Sequence, residues 1–124
     1  MNIHESAEDY LESILILSHR MPHVRSVDVA HELGYSKPSV SVAMKNLRQG
    51  GYVVMDEDGY LLLTESGRAI AEKIYERHTL FSTVLTKLGV DPKIAAEDAC
   101  RIEHAISQET FDAIKKYISD NTLF

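Results

Sequence analysis

Two glycine breaks frame a short helix in the N-terminal half of the chain. Gly34 ends one helical pattern, and Gly50-Gly51 ends the next. Between them, Ser36 is a good helix N-cap, and Pro38 falls in the first helical turn, where a proline costs little. An apolar stripe then follows at helical spacing: Val40, Met44 and Leu47. Two helices joined by a short glycine-containing turn predict a helix-turn-helix.

A hairpin signal comes directly after this helix. The strand-like runs Tyr52–Met55 and Tyr60–Leu63 flank the sequence Asp56-Glu57-Asp58-Gly59. An Asp-Gly pair between apolar β-forming residues is typical of a tight hairpin turn. A hairpin that follows a helix-turn-helix predicts a winged-helix arrangement.

The remaining sequence is helical. A first helix is predicted from Glu5 to Ser18, and Ser26 is predicted to cap the second. Three helices follow the hairpin, with starts at Thr64, at Asp91-Pro92 and at Ser107. The predicted fold is therefore mainly α: a winged helix-turn-helix with a small β-hairpin wing, residues 1–70, then an all-helical domain, residues 71–124.

Composition and charge restrict the possible settings of such a chain. Its 124 residues are 44% hydrophobic and 26% charged, which is ordinary for a globular protein. The longest apolar runs are far shorter than the roughly 20 residues of a membrane span, and the polar N-terminus does not resemble a secretory signal. A cytoplasmic protein without membrane contact is therefore expected.

The helix after Ser36 is the candidate DNA-reading element. The net charge of −6 argues against nucleic-acid binding, but the segment from Ser36 to Gly51 carries Lys37, Lys45 and Arg48 and no acid. The second helix of a helix-turn-helix presents its N-terminal residues to base edges and phosphates. The candidate DNA contacts are Ser26, Ser36, Lys37, Pro38, Ser39, Ser41 and Lys45. The alternative is an ordinary surface helix with a serine cap.

Several potential metal ligands recur at helical spacing. Cys100, Glu103 and His104 stand at i, i+3 and i+4 on one helix face, as do Asp9 and Glu12 on the first helix. His78 lies midway along the long helix. The alternatives are that the two N-terminal acids favour the helix dipole, that His78 is a surface residue, and that Cys100, the single cysteine, is a small core residue.

Five motifs together carry a family resemblance. They are Glu8-Asp9-Tyr10-Leu11-Glu12, Ser36-Lys37-Pro38-Ser39-Val40, Leu63-Thr64-Glu65-Ser66-Gly67-Arg68, Arg77-His78 and Ala99-Cys100-Arg101-Ile102-Glu103-His104. In this order, and over essentially the whole chain, they resemble the diphtheria-toxin-repressor and manganese-transport-regulator family. The resemblance implies a homodimer that binds palindromic operator DNA when loaded with a divalent metal and represses metal-uptake genes. The helical second domain would then be the metal-binding and dimerisation domain.

The resemblance also implies a ligand set. The manganese regulators of the family place metal ligands at the positions of Asp9, Glu12, His78, Cys100, Glu103 and His104. Cys100 departs from that set, because the manganese branch has Glu there and the iron branch has Cys. The iron branch, in turn, has Met at the position of Asp9. The further iron-branch ligands would fall at Ser82 and Ala96, neither of which replaces a Glu or His ligand. The extra C-terminal domain of that branch is not expected here.

These observations predict an iron- or manganese-responsive repressor rather than an enzyme. Fe²⁺ or Mn²⁺ is the expected activator, with Zn²⁺ or Co²⁺ expected to bind in vitro. An ion bound by Asp9, Glu12 and the ligands of the second domain would fix the two domains relative to each other. One alternative is a winged-helix regulator of a small organic ligand, and another is a metalloenzyme, which would need an open coordination position and a catalytic base.

Overall fold

The computed structural model describes residues 5–121, which form six helices and one β-hairpin. The elements are α1 (Glu5–Ser18), α2 (Ser26–Leu33), α3 (Lys37–Gln49), β1 (Val53–Met55), β2 (Leu61–Leu63), α4 (Glu65–Lys87), α5 (Pro92–Ala105) and α6 (Gln108–Asp120). The predicted mainly α class with a small wing is confirmed. The chain divides into two compact units, Met1–Lys73 and Ile74–Phe124, and the predicted boundary at 70/71 stays a prediction.

The N-terminal unit is built around one apolar core. α1 contributes Leu11, Ile14 and Leu15, all of which are almost completely buried. The inner face of α3 adds the predicted stripe, Val40, Met44 and Leu47. Because every third or fourth residue of α3 is buried, most of the residues between them are left on the surface.

Local capping explains where most helices begin. Ser36 caps α3 by accepting a hydrogen bond from the Ser39 backbone N–H, and Ser107 caps α6 in the same way. The prediction that Ser26 caps α2 is wrong by one residue, since Arg25 occupies the cap position and Ser26 is the first helical residue. The Asp28 carboxylate there accepts a hydrogen bond from the Arg25 backbone N–H at 2.9 Å.

The hairpin is a short antiparallel pair in which Val53 faces Leu63 and Met55 faces Leu61. Its turn depends on Asp56, whose Oδ1 accepts hydrogen bonds from the backbone N–H groups of Asp58 and Tyr60, both at 2.9 Å. Gly59 has a φ of +82°, a backbone conformation that residues other than glycine rarely adopt. The predicted Asp-Gly turn is therefore confirmed, and the strands are shorter than the predicted runs.

The C-terminal unit packs the second part of α4 with α5 and α6. Its small core contains Phe81, Ala99 and Phe111, and the rings of the two phenylalanines meet edge to face with centroids 6.1 Å apart. No helix among residues 5–121 is long and apolar enough to cross a membrane. Leu123 and Phe124 lie outside the described residues.

The start of α4 lies against the backbone that leads into the wing. Thr64 donates its hydroxyl to the Gly51 carbonyl at 2.7 Å, and the same oxygen accepts from the Gly67 N–H at 3.1 Å. A Cβ atom at residue 67 would overlap the carbonyl oxygen of Tyr52. Gly67 is therefore required by a close backbone approach and not by its φ angle.

Replacing Gly67 with Ala should destabilise the chain although alanine is the better helix former. Helix propensity alone favours alanine by about 1 kcal/mol, but the overlap with Tyr52 should cost about 1–3 kcal/mol more than this gain. Chemical denaturation measures the net free energy of unfolding. Ser66→Ala, at the exposed neighbouring position, is the control and should change it by less than about 0.5 kcal/mol. A stabilised Gly67→Ala variant would contradict the packing argument.

Candidate metal centre and DNA-reading helix

Two helices of the C-terminal unit bring three potential metal ligands together. His78 comes from α4, and Cys100 and Glu103 come from α5. One ligand atom of each lies within 4.8 Å of the others. The His78 Nδ1 atom is 3.7 Å from the Cys100 Sγ atom and 3.1 Å from the Glu103 Oε2 atom. An imidazole, a thiol and a carboxylate at these distances form a donor set that suits a divalent transition metal.

The Glu103 carboxylate is the most constrained member of this group. Its side chain is fully buried, and within the described residues neither oxygen has a hydrogen-bond partner of acceptable geometry. Oε1 lies 3.4 Å from the His104 Nε2 atom, so the two imidazoles are close enough for electrostatic attraction but poorly aligned as donors. A buried carboxylate is unstable unless it is paired or coordinates a metal. Its unused oxygens therefore fit a metal ligand.

The surroundings of His78 favour its charged form. The interaction with Cys100 and, next, the interaction with Glu103 raise the pKa of His78 to about 10, although its partial burial acts in the opposite direction. A metal ion bound at this ring nitrogen has to displace the proton, because a ligating imidazole is neutral.

The alternatives for two of these residues are not supported. Cys100 is exposed, so it is not the small core residue that a lone cysteine often is. The side chain of His78 is only 24% exposed and faces Cys100 and Glu103 rather than open solvent. Asp9 and Glu12 lie one turn apart on α1, as their spacing predicts, and belong to the N-terminal unit.

Sequence reasoning assigned no role to Arg77, which organises the helices around His78. The residue is 4% exposed, and its guanidinium donates hydrogen bonds to the backbone carbonyls of Glu103 at 3.0 Å and Ile106 at 2.9 Å. It also donates to the Gln108 side chain at 3.1 Å and lies over the Phe111 ring. Arg77 thus satisfies carbonyls at the C-terminal end of α5. The only signal in the sequence was its place in the Arg-His motif.

The predicted reading face of α3 is on the surface. The residues from Ser36 to Ser39 are exposed, as are Ser41 and Lys45. Lys37, Ser41 and Lys45 are spaced by four residues and share one helix face. Ser36 and Ser39 are joined by a hydrogen bond of 2.8 Å between their hydroxyls, so the first turn is held in a fixed form. Ser26 is partly buried at the start of α2.

Sequence reasoning also missed Val42. Its side chain is 60% exposed on α3, between the polar positions of the reading face. An exposed apolar side chain on such a helix is suited to contact a thymine methyl group. The signal available in the sequence was a β-branched residue outside the Val40, Met44, Leu47 stripe.

The N-terminal unit is a winged helix-turn-helix with an exposed reading helix that contains no acid. The C-terminal unit brings His78, Cys100 and Glu103 together. These two features define a metal-responsive DNA-binding regulator. Comparison with known proteins agrees. Residues 2–61 match the family model of the iron-dependent repressor N-terminal DNA-binding domain, and residues 64–122 match that of the iron-dependent repressor metal-binding and dimerisation domain. The chain belongs to this family of repressors.

Individual relatives of the chain are transcriptional regulators. The chain is 39% identical over 109 residues to the transcriptional regulator MntR of Salmonella typhimurium, covering 88% of this chain and 69% of the relative. It is 34% identical to an uncharacterised helix-turn-helix-type transcriptional regulator of Methanocaldococcus jannaschii, covering 92% and 93%. These relatives are transcriptional regulators and not enzymes.

Solved structures show the same fold. A manganese-dependent transcriptional repressor in complex with manganese has a TM-score of 0.83 at 29% identity, over 91% of this chain and 52% of that one. The manganese regulator SloR has a TM-score of 0.81 at 28% identity, over 96% and 55%. The chain thus spans about half the length of these solved structures.

Replacing Arg77 with Lys should destabilise the C-terminal unit by about 2–4 kcal/mol, because a lysine cannot serve two buried carbonyls and the Gln108 side chain from one position. The free energy of unfolding is measured by denaturant titration of the metal-free protein. Arg101→Lys is the matched control, since Arg101 is exposed and its ion pair with Asp98 is on the surface. Equal stability of the two variants would contradict the role given to Arg77.

Proposed function

We propose that this chain represses transcription as a homodimer that binds a palindromic operator when loaded with a divalent metal ion. The observation that carries the proposal is the buried Glu103 carboxylate, which lies beside His78 and Cys100 and has no hydrogen-bond partner of good geometry among the described residues. The same chain carries a winged helix with an exposed reading face. A repressor acts where the DNA is, so we assign it to the cytoplasm.

We assign the ligands in two groups. His78, Cys100 and Glu103 form the first, supported by their distances, and His104 joins them because its Nε2 atom lies 3.4 Å from Glu103. Asp9 and Glu12 are added on the sequence resemblance alone. When bound, a divalent ion supplies positive charge that balances these carboxylates and the thiolate.

The proposed ligands link metal binding to DNA binding. Asp9 and Glu12 lie on α1, in the same unit as the reading helix, whereas the other four ligands lie in the C-terminal unit. If both groups hold one ion, the metal and the operator must each strengthen the binding of the other by the same factor. The two reading helices of a dimer need half-sites about one helical turn, ~34 Å, apart or a multiple of it. We propose that this spacing is met in the metal-loaded state.

The homodimer is expected to cover apolar side chains of the C-terminal unit. Phe111, Ile114 and Ile118 form an apolar stripe at helical spacing on α6, but Phe111 lies in the core of its own unit and Ile114 packs against that core. Leu88 is 75% exposed and Ile94 is 51% exposed, around the turn between α4 and α5. Tyr117 on α6 is 64% exposed, and these three side chains would gain from burial against a mate.

We propose that Fe²⁺ or Mn²⁺ is the physiological activator. Carboxylates suit Mn²⁺, whereas the Cys100 thiol shifts the preference of the site toward softer ions such as Fe²⁺ and Zn²⁺. Zn²⁺ and Co²⁺ should bind in vitro, because raw affinity does not by itself select the activating metal.

A second candidate function is control by a small organic ligand. An apolar groove of about 440 Å³ between α4 and α6, lined among others by Leu80, Phe111 and Ile118, is within the size range of ligand pockets. A metal titration separates the two functions, because a regulator of this second kind would bind its operator equally with and without metal.

The metal proposal is tested by operator selection from random duplexes, followed by binding titrations with each divalent metal under anaerobic conditions. Cys100→Glu should shift the preference from Fe²⁺ toward Mn²⁺, changing the ratio of the two activation midpoints by about tenfold, since a carboxylate oxygen replaces the softer sulfur. Cys100→Ala is the control and should weaken the response to both metals.

Two outcomes would contradict this assignment. An unchanged order of activating metals in Cys100→Glu would mean that the thiol is not a ligand. Retained metal dependence in Glu103→Gln, which keeps the shape but removes the charge, would mean that the site lies elsewhere.

The DNA-binding assignment of α3 predicts a change in salt dependence. Lys37→Ala and Lys45→Ala should each weaken binding to DNA of any sequence and reduce the slope of log affinity against log salt by about 0.9 for each lost phosphate contact. Fluorescence anisotropy at several salt concentrations measures this slope. Lys116→Ala removes the same charge from an exposed site on α6 and should leave the slope unchanged. If all three variants behaved alike, α3 would not be the reading helix.

A further inference from the structure

The wing has a charge pattern opposite to that of the reading helix. Between Arg48 and Arg68 the sequence contains no lysine, arginine or histidine, but it contains Asp56, Glu57 and Asp58 in succession. All three of these acids are exposed. The turn of this hairpin therefore carries three negative charges and no positive charge of its own.

The three acids do not have the same role. Asp56 builds the turn, because its Oδ1 atom accepts two backbone hydrogen bonds. No such turn hydrogen bond involves the carboxylates of Glu57 and Asp58 among the described residues. Their charges can therefore be removed without loss of the turn that positions them.

The hairpin is attached to the end of the reading helix. The Tyr52 N–H donates to the Leu47 carbonyl of α3 at 2.9 Å, and Arg48 donates to the Met55 sulfur of β1 at 3.2 Å. Val53 is 1% exposed and anchors β1 in the core of the unit. When α3, which is about 20 Å long, lies in a groove of DNA, the wing is carried along with it.

The described side chains on the outer face of the wing are apolar and cannot bind phosphate. Val54 and Leu62 are cross-strand partners, and both are about half exposed. Two cations lie close to the turn end of the wing. The Arg25 guanidinium is 4.7 Å from the centroid of the Tyr60 ring, which follows the turn, and Arg48 donates to Met55, the last residue of β1. The turn end of the wing therefore carries three acids beside Arg25 and Arg48, an excess of one negative charge, and the outer face of the wing is apolar.

We propose that the wing of this chain acts against DNA binding, with Glu57 and Asp58 repelling the phosphate backbone when α3 is in the groove. The inference rests on the DNA-binding function given above and adds an element that opposes it. The repulsion requires no contact, because the screening length is about 10 Å at 0.1 M salt and about 30 Å at 0.01 M.

Such repulsion has a consequence for regulation. It weakens binding to every duplex by a similar factor, and non-specific binding depends almost entirely on electrostatic attraction. A repressor with this wing is held less on the many non-cognate sites of a genome. Stable binding then requires the base contacts of α3 in addition to the phosphate contacts.

The test uses the double variant Glu57→Gln/Asp58→Asn, in which shape is kept and two charges are lost. Affinity for a mixed-sequence duplex and for a duplex selected by the wild-type protein is measured in the metal-loaded protein at about 50 mM and about 200 mM salt. We expect both affinities to rise about three- to tenfold at the lower salt, with a smaller rise at the higher salt. A Glu57→Lys variant should give a larger rise.

The control variant Glu109→Gln/Asp120→Asn removes the same charge from exposed positions on α6, and we expect its affinities to change less than twofold. If the wing variant matched this control, or bound DNA more weakly than the wild type, the proposal would be overturned. Failure of the wild type to select any sequence in the presence of metal would instead count against the proposed function. The ratio of variant to wild-type affinity on mixed-sequence DNA would still decide the role of the wing.

Discussion

The buried Glu103 carboxylate is the constraint on which the C-terminal unit depends. A charged group without water is costly unless other charges or a metal balance it. Here His78, whose charged form is favoured, lies on one side at 3.1 Å and His104 lies on the other at 3.4 Å, both without good hydrogen-bond geometry. The unit therefore keeps a site that its own side chains satisfy only in part. This arrangement is what a metal-responsive protein needs, because a fully satisfied site would have nothing to gain from an ion.

The adjacent residues Arg77 and His78 contact different parts of that site. Successive residues on a helix point about 100° apart, so α4 directs the two side chains to different surroundings. Arg77 reaches the end of α5 and hydrogen-bonds the Glu103 and Ile106 carbonyls, which fixes the backbone that carries the carboxylate. His78 approaches the carboxylate itself. One turn of α4 thus supplies both the arginine that positions Glu103 and the histidine whose proton a metal ion has to displace.

Features that depend on local chemistry were predictable from the sequence. The caps at Ser36 and Ser107 and the turn at Asp56-Glu57-Asp58-Gly59 involve residues within a few positions of one another. The prediction at Ser26 failed because Asp28 accepts the Arg25 backbone N–H and moves the cap by one residue. Helical spacing alone placed Cys100 and Glu103 on one face, but their approach to His78 spans 22 residues or more and depends on tertiary packing. The role of Arg77 was missed for the same reason, since its partners are backbone carbonyls 26 and 29 residues away.

The distribution of charge explains how an acidic chain can bind DNA under control. With a net charge of −6, the molecule as a whole is repelled by a polyanion at low salt. The proposed reading helix α3 carries Lys37 and Lys45 on one face and no acid, whereas the acids of the wing follow within the same unit. A regulator with strong general attraction would bind DNA whether or not its effector was present. When the electrostatic attraction to DNA of any sequence is weak or unfavourable, a coupling free energy of about 1–3 kcal/mol, typical of allosteric proteins, is enough to decide between bound and free repressor.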